Sequence, residues 1–383
     1  MLAFMQALKR VYDPLSDYLE PGKVLVLYGP RRVGKTTLIH QFLKQTTWVT
    51  KLDTGDNIHV QNLLSSQDPP KILAYLEGVQ LYVIDEAQEI AGVGQGLKII
   101  VDHRPDIVVI ATGSSSFSLA GSIGEPLTGR KRTLTLYPLS QGELGLNLRS
   151  YDLAQNLENY LIFGSYPETL TRETRHQKIQ YLLELVDSYL LKDILSLERV
   201  KGSKVFLDLL KMLAFQIGQM VSMNELSNAL NIDVKTVARY IDLLEKTFVI
   251  KRLNGFSRNL RKEITQKSKF YFLDLGIRNA IISQFNALDS RADIGQLWEN
   301  FLVIERIKKC HYEQKYGSHY FWRTHTHQEI DFIETFDNTL NGYEFKWNDK
   351  KQPKVPSEWK AAYPEATFTG ISQKNYLEFV GKS

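Results

Sequence analysis

The spacing of apolar residues changes character along this chain of 383 residues. From 20 to about 148, short uninterrupted apolar runs (Val24 to Leu27, Leu81 to Ile84, Ile107 to Ile110) alternate with helically spaced stretches such as Leu38, Ile39, Phe42 and Leu43. Unbroken runs suit strands covered on both faces, so the alternation predicts a parallel α/β sheet. "SSQDPP" at 65 to 70 and "AGVGQG" at 91 to 96 read as loops from their Gly, Pro and Ser content. "MLAFMQALKRVYDPL" reads as a short amphipathic helix ending at Pro14. From 151 to about 215 the helical period takes over, and "KIQYLLELVDSYLLKDILSLERV" holds it without a Gly or Pro. The segment 217 to 273 predicts a helix from near Ser222, a break at Asn231–Ile232, a second helix from Asp233 and two β-like runs. That is the layout of a winged helix. A helix in "QLWENFLVIERI" and three strands, "HYFWRT", "EIDFIETF" and "GYEFKW", close the chain, with "DNTLNG" turning between the last two. The expected division is an α/β domain at 1–148, a helical lid or linker at 149–215, a winged helix at 216–283 and a small α/β domain at 284–383.

Between the first run and the first helix lies "LYGPRRVGKTTLIHQF", which fits the pattern GxxxxGK[ST] at Gly29, Gly34, Lys35 and Thr36. A Gly-rich turn from a strand into a helix can cradle phosphate, because free backbone N–H groups and the helix dipole both point outward. The expected nucleotide contacts are Gly29, Pro30, Arg31, Arg32, Val33, Gly34, Lys35, Thr36 and Thr37. Lys35 can reach the β- and γ-phosphates, and the Thr36 hydroxyl can ligate magnesium, so the ligand expected is ATP with Mg2+. "LYVIDEAQEI" ends a strand in Asp85, which can hold the same ion, and Glu86, which can polarise the attacking water. "DIVVIATGSSS" offers Ser114, and more weakly Thr112, as a sensor beside the γ-phosphate. In "LTGRKRTLTLYPLS", Arg130 is either a surface charge or the residue that meets the γ-phosphate, from the same or a neighbouring subunit.

In this order the segments resemble the AAA+ type P-loop ATPases, within the wider ASCE group. "GPRRVGKTTL", "YVIDEAQ", "IATGSSS", "PLSQGEL", "SYPE", "YFLDLGIRNA", "LWENFLVIE" and "EIDFI…YEFKW" extend the resemblance over about 20 to 380. The match is to a prokaryotic branch that joins an AAA+ ATPase to a C-terminal nuclease-like domain of unknown function. The resemblance implies an AAA+-like parallel sheet followed by a lid, a winged helix and a restriction-endonuclease-like domain.

In the last domain, Asp331 lies on one strand and Glu344 on its hairpin partner, with Lys346 two residues later on the same face. Two carboxylates can hold a second divalent metal while the lysine orients water, and Glu299 on the preceding helix could complete the acidic set. This resembles the PD-(D/E)xK nuclease core, with Ile330 where that core has Pro. An active nuclease, an inactive nucleic-acid-binding relic and a chance pattern all remain open.

Composition narrows the partners. Hydrophobic residues at 43% and charged residues at 23% are those of a globular protein. No stretch approaches the roughly 20 apolar residues that span a bilayer, so a cytoplasmic protein without a membrane partner is expected. The single cysteine, Cys310, excludes an intrachain disulfide and reads as an inert thiol. His311, His319, His325 and His327 lack a ligand spacing and read as surface residues. The net charge of +4 acquires meaning only where it clusters, at Lys251, Arg252, Arg258, Arg261, Lys262, Lys267 and Lys269 against Glu263. Such a wing either meets DNA phosphates or packs within the protein. The chain is therefore expected to be an ATP hydrolase, with an ATP-licensed DNA nuclease and a nucleotide-gated protein-interaction switch as alternatives. An oligomer is compatible with each.

Overall fold

A computed structural model describes residues 8–113, 126–191, 203–257, 267–348 and 353–381. The chain forms two compact units, one of Lys9–Pro138 with Lys246–Phe248, the other holding Leu139–Glu245 and Val249–Ser383.

The first unit is built on five strands: β1 (Val24–Tyr28), β2 (Thr50–Thr54), β3 (Leu81–Asp85), β4 (Val108–Gly113) and β5 (Lys131–Thr135). All pair in parallel, in the order β2-β3-β4-β1-β5. The unbroken apolar runs are the strands covered on both faces, and every residue of β1 is buried. Edge strand β2 instead alternates exposed and half-buried positions. Val26, Ile84 and Ala111 pack into one core with Leu64 and Leu97 from the flanking helices Ile58–Ser65 and Val93–His103.

Two expected loops are corrected here. Residues 69 and 70 start the helix Pro69–Tyr75, capped by Asp68, because proline lacks the N–H that a first turn leaves unsatisfied anyway. Gly94 and Gly96 lie inside the helix Val93–His103. A Cβ on Gly96 would stand 2.8 Å from the Leu64 carbonyl oxygen, so this glycine allows two helices to approach rather than making a turn. The expected N-terminal helix does not reach Pro14: residues 8–10 are irregular and a turn follows at 11–12.

Among the described residues, the second unit carries seven strands: β6 (Met220–Val221), β7 (Ile250–Gly255), β8 (Ser268–Phe272), β9 (Ser318–Arg323), β10 (Glu329–Phe336), β11 (Thr339–Phe345) and β12 (Thr367–Ile371). They form one mixed sheet in the order β12-β11-β10-β9-β7-β8-β6. Ahead of β7 stand the helices Met223–Leu230 and Val234–Lys246, separated at Asn231 in the left-handed conformation. Helix, turn, helix and antiparallel β7–β8 pair follow the expected order. However, β7 also pairs with β9, with Asn254 opposite Tyr320 and Gly255 opposite Phe321. One sheet therefore runs across the boundary expected near 283. Between β10 and β11 the turn is confined to Asp337 and Asn338, both at positive φ, the backbone of a tight hairpin.

Weak motifs scattered over this unit meet in its core. Ser165 N donates to Asp274 Oδ2 at 2.7 Å, Asn279 Nδ2 donates to the Leu161 and Ile162 carbonyls, and Gln141 N donates to Glu305 Oε2. These buried bonds tie the helical region near 140–165 to the helices Leu275–Ile281 and Ile294–Tyr312.

Candidate functional site

Parallel pairing brings the ends of β1, β3 and β4 to one edge of the first sheet, where loops beyond the carboxyl ends of strands make a binding crevice. Gly29 leaves β1 at φ +148, and a Cβ there would lie 2.0 Å from the Leu136 carbonyl oxygen. Arg32 and Gly34 also have positive φ, and Gly34 precedes the helix Lys35–Gln45. The path 29–36 thus wraps back onto a helix start whose N–H groups are open to an anion. Pro30, Arg31 and Val33 complete the wrap, while Thr36 and Thr37 are exposed at its lip.

Lys35 is 5% exposed, and its Nζ donates to the carbonyls of Gly29 at 2.9 Å and Pro30 at 2.8 Å. Burial pulls the ammonium down to about 8, against the pull of Glu86 and Asp85 in the other direction. A cation held this way is prepared for an anionic partner. Thr36 Oγ1 donates to Asp85 Oδ2 at 2.8 Å, joining the two expected magnesium ligands. Hydroxyl and carboxylate oxygens are the hard donors that magnesium takes beside phosphate, so the residues fit Mg-ATP.

Thr112, at the end of β4 and the weaker of the two candidates for a γ-phosphate sensor, joins this network through Asp85 and Glu86. Its hydroxyl donates to Asp85 Oδ1 and accepts from Glu86 N at 3.1 Å. Glu86 stands at φ 52 and ψ 43, an uncommon conformation for a non-glycine residue. Gln88 Nε2 donates to Glu86 Oε2. Neither Gln88 nor the buried Arg10, which donates to the Val33 carbonyl, was singled out from sequence. Ser114 lies outside the described residues.

Arg130 does not meet this site within its own chain. Its carbonyl accepts from Val24 N, so it stands at the opposite end of β1 from the loop, about 16 Å of strand away. Its guanidinium pairs with Asp102. This half-exposed pair fits the reading of Arg130 as a surface charge, and contact with a phosphate on a neighbouring subunit is untouched by it.

In the second unit, Asp331 and Glu344 lie across from each other in the antiparallel β10–β11 register. They face a cavity of about 620 Å³ that Glu299, Glu329, Lys269 and Lys346 also line. Asp331 Oδ2 accepts from Phe345 N at 2.8 Å, and Lys346 Nζ donates to Glu344 Oε1 at 2.7 Å. Glu344 Oε2 is buried and has no hydrogen-bond partner among the described residues. Burial pushes both carboxyls up, reinforced at Asp331 by Glu299 and Glu344, and opposed at Glu344 by Lys346.

Glu299 lines the same cavity as this pair and has partners of its own. It accepts from Lys269 at 2.9 Å and from the Tyr271 hydroxyl at 2.7 Å. Lys269, of the basic group expected either to meet DNA phosphates or to pack within the protein, is buried and also pairs with Glu329 at 2.6 Å, as the second of these requires. Arg252 of the same basic group pairs with Glu245. Arg258, Arg261 and Lys262 lie outside the described residues. The alternation of β8 could not reveal that its lysine points inward, since all five of its residues are buried.

Among the described residues, the trio whose possible ligand atoms do converge is Cys310, His319 and Glu334. Arg306 donates to both Glu334 oxygens, at 2.7 and 2.8 Å, so this carboxylate already has a fixed counter-charge. His319 is not the expected surface residue: its ring stacks on Phe332 at 5.3 Å.

Residues 21–145 match the family described as AAA domain, 154–288 a domain of unknown function (DUF8612) and 294–377 a domain of unknown function (DUF4143). An uncharacterized protein of Mycobacterium tuberculosis is 27% identical over 332 residues, 86% of this chain and 71% of the relative. One from Haemophilus influenzae is 25% identical over 326 residues, 77% of each. Among solved structures, the Thermotoga maritima RuvB Holliday junction branch migration motor aligns with 65% of this chain and 93% of its own, at 18% identity and TM-score 0.33. Domain III of the Thermotoga maritima replication initiation protein DnaA aligns with 60% and 95%, at 18% identity and TM-score 0.30. No helix among the described residues is long and apolar enough to cross a membrane.

Proposed function

We propose that this chain, whose residues 21–145 match the AAA domain family and are followed by matches to two domains of unknown function, binds ATP with magnesium and hydrolyses it. The observation that carries the reading is the convergence of Lys35, the Thr36–Asp85 pair and Glu86 at one sheet edge. Lys35 holds the β- and γ-phosphates as they accumulate charge. Glu86 accepts the proton of the attacking water, with Gln88 and Thr112 fixing its side chain and its backbone. Thr36 and Asp85 would hold magnesium, which when bound would supply positive charge to the phosphate oxygens. Lys35→Ala removes the counter-charge of a buried phosphate and is expected to abolish binding. Titration with a fluorescent ATP analogue tests this, and unchanged affinity would overturn the site.

The placement of Asp331 opposite Glu344, with a Glu344 oxygen that has no partner among the described residues, favours a second reading: a divalent-metal site for hydrolysis of a nucleic-acid phosphodiester. Calorimetry with manganese on a Lys35→Ala background isolates it from the nucleotide site. Binding heat that disappears in Asp331→Asn supports the site. No heat at millimolar manganese means that Lys346 and Lys269 already neutralise these acids, and the nuclease reading falls.

A further inference from the structure

The phosphate loop is held from outside by a residue that belongs to no recognised motif. Arg10 is 6% exposed, although it lies in an irregular segment ahead of β1. One guanidinium nitrogen, Nη1, donates to the Val33 carbonyl at 2.5 Å, and the other, Nη2, to the Tyr137 carbonyl at 2.8 Å. Nη1 also lies 3.5 Å from where a Cβ on Gly34 would stand. All four residues belong to the same compact unit.

A trans peptide is planar, so its carbonyl and the next N–H point in opposite directions. Holding the Val33 carbonyl toward Arg10 therefore turns the Gly34 N–H away from Arg10, at the residue that precedes Lys35 and its helix. The second bond anchors the guanidinium to Tyr137, next to Leu136, whose carbonyl is the surface against which Gly29 packs. The Tyr137 ring in turn packs edge-on against Phe248 at 6.2 Å. Both ends of the loop are thus referred to the same short segment, 136–137. The fork of a guanidinium suits this task, since its donors sit in a fixed plane, whereas an ammonium offers a single point of attachment.

We propose that Arg10 is a positioning residue for nucleotide binding, fixing the Val33–Gly34 peptide so that its N–H faces the phosphates. The proposal rests on the ATP reading above. Its test is titration of a fluorescent ATP analogue into the full chain, as wild type, Arg10→Lys, Arg10→Ala and Lys35→Ala, with thermal melting of each without nucleotide. Both Arg10 variants are expected to bind at least about tenfold more weakly than wild type, because a misplaced binding group forfeits much of its contribution. Millimolar guanidinium should restore part of the loss in Arg10→Ala and none in Lys35→Ala. If Arg10→Ala fails to fold, Arg10→Lys decides by its affinity alone.

Affinity within about twofold of wild type in a folded Arg10 variant overturns the proposal. So does a loss in folded Arg10→Ala that guanidinium does not relieve. If wild type itself fails to bind, or Lys35→Ala binds as wild type does, it is the ATP reading that falls, and the outcome is distinguishable from failure of Arg10.

Discussion

Lys35 and Cys310 both lie buried, with opposite consequences for chemistry. Burial weakens the charge of Lys35, yet the Gly29 and Pro30 carbonyls hold its Nζ where phosphate oxygens are expected. Cys310 is 2% exposed, and burial together with Glu334 pushes its thiol up to about 12. Because only the thiolate reacts, roughly one molecule in ten thousand is reactive at pH 8. Native protein should therefore resist iodoacetamide at pH 8. Any labelling of the folded state should rise about tenfold per pH unit as the thiolate forms. Rapid full labelling at pH 8 would show that the thiol is neither buried nor raised. At this scale the sequence reveals residues whose spacing is itself the chemistry, as from Gly29 to Thr36. It hides those that act across the chain. Arg10 and Tyr137 are 127 residues apart, and nothing local to either indicates the bond.

Elements were legible wherever one period held without competition. Buried parallel strands and the two helices around Asn231 follow their patterns, because an apolar face can be covered in few ways. Gly-rich stretches were ambiguous, since glycine serves both turns and close approach. Gly96 belongs to the second case and Gly29 to both. For Gly29, a Cβ would meet the Leu136 carbonyl oxygen at 2.0 Å while the backbone stands at φ +148. Gly29→Ala is accordingly expected to cost more than about 2 kcal/mol of stability and to weaken ATP binding, because backbone atoms cannot rotate away as a side chain would. Denaturant melts and the ATP-analogue titration check this together. A variant with wild-type stability would mean that Leu136 does not press on the loop. The β7–β9 pairing was beyond sequence reach for another reason: edge-to-edge pairing is made by backbone groups, which carry no residue signature.

On the scale of the whole chain, the motifs divide into chemistry and architecture. "SYPE" and "YFLDLGIRNA" resembled family signatures without a known task, and the Ser165–Asp274 and Asn279 bonds give them one: buried fasteners within the second unit. The Gly29–Thr36 loop, Asp85 and Glu86 have no such architectural use, and ATP hydrolysis is the function proposed for them. The direct test is phosphate release by wild type and Glu86→Gln at saturating Mg-ATP, with ATP binding measured on the same preparations. Glutamine keeps the shape and polarity at 86 but cannot take a proton as a carboxylate does, so affinity should persist while turnover falls by about a hundredfold or more. Wild-type turnover in Glu86→Gln would remove Glu86 from the mechanism. Absence of phosphate release in the wild-type protein would contradict the account itself.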